Sequence, residues 1–120
     1  MNEHRLTDAN VARTLWKALV IHDSETGESY LSGSDWKKVS LPHFSSNVED
    51  AHQVVAYMQS IGWTLSVKQD IDHGESSYLA VFVKNDNRVY TNCRAKTLPM
   101  AICLAALSTY VNLSLKKVNL

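Results

Sequence analysis

Tyr78-Leu-Ala-Val-Phe-Val83, then Lys84-Asn-Asp-Asn-Arg88, then Val89-Tyr-Thr-Asn-Cys-Arg94, is the stretch on which the fold turns. Its first six residues are apolar without a break. A strand with one wet face alternates, so an unbroken run predicts cover on both faces. Asn85-Asp86-Asn87 reads as a short turn, because Asn and Asp tolerate positive φ. Arg88 to Arg94 returns as a partner strand. Upstream, Trp63, Leu65 and Val67 alternate with Thr64, Ser66 and Lys68, which predicts a strand showing one face to a core. The turn-rich stretch from Asp70 to Ser76 links it to the apolar run, and an antiparallel meander of three strands results.

Helices flank this meander. Thr7 is a suitable N-cap for a first helix to about Ile21, with Asp8 complementing its dipole and Val11, Ala12, Leu15, Trp16 and Leu19 forming its stripe. Asn47 caps a second helix to about Ile61, with Glu49 and Asp50 in its first turn. Gly62 supplies the left-handed residue that commonly ends a helix. A third helix begins near Thr97 or Leu98, with Pro99 in its first turn, and runs to about Val111. Met100 to Leu107 is apolar at almost every position, so this helix is buried on more than one side. Residues 112–120 read as a fraying or weakly paired tail.

Between the first two helices, residues 22–46 hold Gly27, Gly33, Pro42 and seven serines. They read as a long ordered connection with a short hairpin around Gly27 to Trp36. Connections of this length within compact domains are uncommon and are often functional. The expected class is α+β: a three-stranded antiparallel meander with helices on both faces, in the order α-loop-α-β-β-β-α. Cover on one face alone would make the other a dimer interface.

The chain has 120 residues, 45% of them hydrophobic, with 12 Lys+Arg against 12 Asp+Glu. That length predicts one domain over residues 1–120. The hydrophobic share excludes wholesale disorder. A net charge of zero argues against a strongly basic nucleic-acid binder. The polar start shows no secretory signal, and the longest apolar run, Pro99 to Leu107, is about half a bilayer span. A soluble cytoplasmic protein without membrane partners is expected, with Cys93 and Cys103 reduced.

Leu41-Pro-His-Phe-Ser-Ser-Asn-Val-Glu-Asp-Ala51 leads into the second helix, and Gly62-Trp63 follows it. Later come Tyr78-Leu-Ala-Val-Phe82 and Ala95-Lys-Thr-Leu-Pro-Met-Ala-Ile-Cys-Leu-Ala-Ala-Leu107. Over Leu41 to Val111 these segments resemble the phage ABA-sandwich domain family, with a weaker echo at Trp16-Lys-Ala-Leu-Val20. The C-terminal motif is the specific part. The resemblance implies an α-β-α sandwich and a phage or prophage origin; it implies no activity and no catalytic residues. His52 stands where an aromatic is common in the family, and the connection from His22 to Ser40 is longer and more polar than usual.

Several polar constellations stand out. Asp70, Asp72, His73 and Glu75 place oxygen ligands at alternate positions, with Gly74 for a tight bend, which suits a hard cation. They match no complete calcium-loop pattern, and a solvated turn explains them equally well. His22, Asp23 and Glu25 lack a third partner. His43, His52 and His73 lack the spacing of a zinc site. Cys103 lies in the apolar helix and should be inert, whereas the cation at Arg94 would lower the pKa of Cys93. Arg88, Tyr90 and Arg94 share a strand face and form a candidate surface for a phosphate or a base. Cations guarding an exposed strand explain them too. Trp36, His43 and Phe44 suit partner binding, and equally suit plugging the end of the core.

The resemblance, the small size and the lack of a catalytic constellation lead to a non-enzymatic phage accessory protein acting by binding. The expected role is counter-defence, through a host protein or by sequestering a small nucleotide signal on Arg88, Tyr90 and Arg94. No cofactor is expected, and a homo-oligomer is reasonable for so thin a scaffold. The alternatives are a small metal-dependent hydrolase using the Asp70–Glu75 cluster and a DNA-associated phage regulator, against which neutral charge argues.

Overall fold

The computed structural model describes residues 3–22, 25, 29–32, 38–72, 74–84 and 89–118. Three helices and six strands follow in order: α1 (Glu3–Leu15), β1 (Leu19–His22), β2 (Ser29–Ser32), β3 (Lys38–Ser40), α2 (Val48–Ser60), β4 (Trp63–Asp72), β5 (Glu75–Lys84), β6 (Val89–Ala95) and α3 (Leu98–Val118). The strands form two antiparallel sheets, β1-β2-β3 and β4-β5-β6. The class is α+β, as expected, and the second sheet is the expected meander.

The order departs from the expected one in the first half of the chain. The segment read as a long connection carries β2 and β3, and β1 takes the residues read as the end of the first helix, with Val20 opposite Leu31 and Leu31 opposite Val39. The first helix starts earlier than Thr7 and stops at Leu15 rather than Ile21. Lys17 takes a left-handed conformation, φ 54°, and the chain turns so that the Ala18 N–H donates to Ala12 O at 3.1 Å. Leu19 and Ile21 then enter a strand. At the other end, α3 runs on to Val118 instead of fraying at Asn112.

α2 forms as its caps predict. The Asn47 side chain accepts from the Asp50 N–H at 3.2 Å, which satisfies one helix-entry donor, and the Asp50 side chain accepts from the His43 N–H at 2.8 Å, which ties the preceding segment to the helix start. Gly62, at φ 99°, reverses the chain into β4.

β4 and β5 pair without interruption from Trp63 opposite Lys84 to Asp72 opposite Glu75. Asp70 and Asp72 therefore belong to a strand rather than to a turn. Gly74, at φ 81°, stands in the turn immediately before β5. β6 pairs with β5 through a register shift between Val81 and Val83.

The core lies where α2 and α3 cover one face of the second sheet. Trp63, Ala80 and Phe82 on that face are fully buried, together with Val54 and Met58 of α2 and Cys103, Ala105 and Ala106 of α3. The small alanines let α3 approach the sheet closely, and α1 packs on α3 with its Ala9, Val11 and Ala12 buried in the same core. On the reverse face of the sheet, Leu79, Val81 and Val83 are half-buried. The unbroken apolar run of β5 thus reflects one fully covered face and one partly covered face.

Candidate functional site

The densest polar network joins the start of α1 to the segment before α2. Asp8 is wholly buried. Its carboxylate accepts from the Ser45 N–H at 2.8 Å, the Ser45 hydroxyl at 2.7 Å and Arg5 Nη1 at 2.9 Å. A buried carboxylate is tolerable when its charge is paired and its lone pairs are used, as here. Arg5 also reaches Pro42 O and Leu41 O, at 3.3 and 3.1 Å, and His43 Nδ1 at 3.1 Å. His4 Nδ1 lies 3.3 Å from Ser45 Oγ.

Ser45, His4 and Asp8 are the residue types of a nucleophilic triad, but their arrangement does different work. Ser45 is fully buried, so no substrate reaches it. Its 2.7 Å contact with the carboxylate is direct, whereas a triad places the histidine between serine and acid. The network is a clamp that fastens residues 41–46 onto α1. The sequence presents Asp8 only as a helix-dipole residue, and Ser45 only as part of the segment from Leu41 to Ala51; no local signal joins the two.

Phe44 is 2% exposed and stacks on Trp16 with ring centroids 5.4 Å apart. Trp16 meets Tyr57, whose hydroxyl accepts from Tyr110 at 3.0 Å. Phe44 therefore plugs the core, while His43 beside it is exposed. Trp36 lies outside the described residues.

Arg94 stands on the reverse face of the second sheet. Its Nη1 lies 2.9 Å from Asp70 Oδ2 and 3.1 Å from Ser77 Oγ. That brings together one residue from each of two expected constellations as an exposed ion pair. A guanidinium held by a carboxylate attracts a phosphate less, and a carboxylate held by a guanidinium attracts a cation less. Arg88 lies outside the described residues, and Tyr90 is placed only as a position on β6. Asp72 and Glu75 face each other in register, Glu75 is exposed, and His73 lies outside the described residues. Among the described residues, no group of three or more His, Cys, Asp or Glu side chains is arranged to hold a metal.

Cys103 is fully buried, and burial, reinforced by the negative charge of Asp8, pushes its thiol up to about 12. It is protonated and inert at neutral pH. Cys93 is half-buried, with Sγ 3.4 Å from Ser108 Oγ.

Two apolar surfaces remain open. Between α2, β4 and α3 runs a groove of about 110 Å³, lined by Val48, Ala51, His52 and Val55, by Leu65 and Val67, and by Leu98, Pro99 and Ile102. It is small beside the roughly 300–1,000 Å³ of drug-sized ligand sites. On the first sheet, Leu19 is 66% and Ile21 36% exposed, and both share a face with Tyr30. No described helix is long and apolar enough to cross a membrane.

Comparison with curated proteins and with solved structures found no match. The profile of the phage ABA sandwich domain matches residues 9–107. The match takes in the second half of α1, the first sheet, α2, the whole meander and the first half of α3, and so extends the resemblance upstream of Leu41. With most of its length matched in this way, the chain belongs to the phage ABA sandwich domain family.

Proposed function

We propose that this phage-family protein is a non-enzymatic accessory protein that acts in the cytoplasm of the bacterial host by binding a host protein, in counter-defence. The observation that carries this reading is the apolar face of the first sheet. Leu19 and Ile21 stand in solvent beside Tyr30, on a small sheet whose packing on the body runs through α1. Exposed aliphatic residues next to an aromatic suit a protein contact better than an anion. The nucleotide reading is the weaker one, because Arg94 is held by Asp70. The same ion pair weakens the metal-hydrolase reading.

The test is genetic and then biochemical. Removing the protein from its phage should lower plating efficiency on defended hosts. Wild-type protein supplied in trans should restore plating, and Leu19→Asp should not. A host protein captured by the wild type should bind it by calorimetry and bind L19D at least tenfold more weakly. Equal restoration by L19D defeats the assignment to this face, and unchanged plating without the protein defeats the counter-defence role.

A further inference from the structure

We propose that the free edge of β4 pairs with the β4 edge of a second copy, antiparallel about a twofold axis through Gln69, making one six-stranded sheet. This rests on the second sheet and is independent of the surface proposed above.

β4 is an edge strand: it pairs with β5 on one side and with no strand on the other among the described residues. It runs for ten residues without proline and with unbroken register. Such an edge offers a row of backbone donors and acceptors to another strand. Proteins usually blunt these edges with bulges, prolines or short length. β4 has none of these, and its charges are confined to Lys68, Asp70 and Asp72.

The side chains select a second copy as the occupant. With the axis normal to the sheet, residues whose numbers sum to 138 lie opposite each other. Gln69 then faces its own copy. Lys68 faces the partner's Asp70, and Asp70 faces the partner's Lys68. Val67 faces the partner's Ile71, and the converse holds too. Opposite charges and apolar pairs at directly opposed positions stabilise antiparallel strands. A slip of two residues one way sets Lys68 against Lys68; the slip the other way lets Lys68 face the partner's Asp72 but sets Asp70 against Asp70. Only the register centred on Gln69 pairs both lysines with carboxylates without opposing like charges.

The single copy leaves these groups ready. Lys68 is 75% exposed on its side chain and lies 3.9 Å from Asp70 Oδ1, beyond hydrogen-bond length, while Arg94 occupies Oδ2. Ile71 is 72% and Val67 42% exposed. Both point to the sheet face that α2 and α3 cover, and Val67 lines the groove. Pairing in this register brings the partner's Ile71 to the mouth of that groove, so apolar surface on each copy is covered by the other. The contact is isologous and closes as a dimer.

The experiment is light scattering of the full chain at micromolar concentration, with three variants. The wild type should show twice the 13.5 kDa chain mass. Ile71→Asp should give the single-chain mass with an unchanged circular dichroism spectrum, and Lys68→Glu should weaken dimerisation at least tenfold. Gln69→Cys, on the axis, should form a disulfide-linked dimer on mild oxidation where the parent chain does not. A wild-type monomer overturns the proposal. So does a dimer that I71D leaves intact, or whose Q69C variant fails to cross-link, because that dimer uses another surface.

Discussion

Asp8 is the residue on which the 41–46 segment depends. Removing its carboxylate leaves the buried Ser45 N–H without its acceptor and Arg5 with less of its compensating charge. Breaking a buried pair by deleting one partner costs about 3–5 kcal/mol, so Asp8→Ala should lower stability by about that much, read from the urea unfolding midpoint. A loss below about 1 kcal/mol would show that water reaches the clamp. Arg94–Asp70 is the contrast. Both side chains are substantially exposed, at 53% and 31%, so Arg94→Ala should change stability by no more than about 1 kcal/mol in the same assay. Cys103 adds a pH signature. Its thiol is pushed from 9.0 to about 12 by burial. The folded state holds that proton more tightly than the unfolded chain, so the stabilising contribution is complete below about pH 9. It is lost as pH rises from there towards 12. Unfolding free energy should fall across that window with a slope approaching 1.4 kcal/mol per pH unit, and Cys103→Ala should flatten its onset. Tyr110, also raised to about 12, adds to the upper part of the decline in both proteins.

Among the elements, the ends of α1 and α2 show what was legible in the residues and what was not. α2 could be read to within a residue, because Asn47, Glu49 and Gly62 are strong local signals and all three act locally. α1 could not. Trp16 and Leu19 continue the helical spacing past Leu15, yet the chain leaves the helix through Lys17, a residue with no intrinsic taste for the left-handed conformation it adopts. The first sheet was hidden for a related reason. Its strands are three or four residues long and rich in serine, too short to show alternation, and they exist because they pair with each other and rest on α1. In β4 the turn-forming character of Asp70 and Asp72 was overridden by continuous pairing with β5. Of the site, the segment from Leu41 to Ala51 was visible but its acid partner was not, since Asp8 is 37 residues away from Ser45. The strained end of α1 yields a prediction at this scale. The Lys17 side chain is exposed, so Lys17→Gly removes strain of roughly 1 kcal/mol in the folded state and gives back part of it as unfolded-state entropy. The variant should be equal to the parent or up to about 1 kcal/mol more stable by urea unfolding. A clear loss would show that the lysine side chain makes a contact that outweighs its backbone strain.

For the whole molecule, the question is how cooperative a protein with two separate sheets can be. α3 is the common support: it touches the second sheet on one side and both α1 and α2 on others, and Ala101, Cys103, Ala105, Ala106 and Thr109 along it are completely buried. No part of the core survives its removal, so amides in α3 between Ala101 and Thr109 should exchange only on global unfolding. The first sheet has a different standing. Val20 is its one buried apolar residue among those described, Leu31 packs against the core only in part, and its described packing against the helices runs through α1. Short strands with few buried contacts open at lower free energy than the body they rest on. Hydrogen exchange read by mass spectrometry should therefore show β1–β3 exchanging much faster than α3 and β5, and the gap should widen in D8A, which loosens α1 and the segment after β3 together. Equal protection in the two sheets would mean that the first sheet unfolds only with the core. In that case the surface at Leu19 and Ile21 would be a rigid platform, and binding there would carry little ordering cost. Faster exchange that slows when a host partner is added would instead show that the sheet is ordered by the contact it makes.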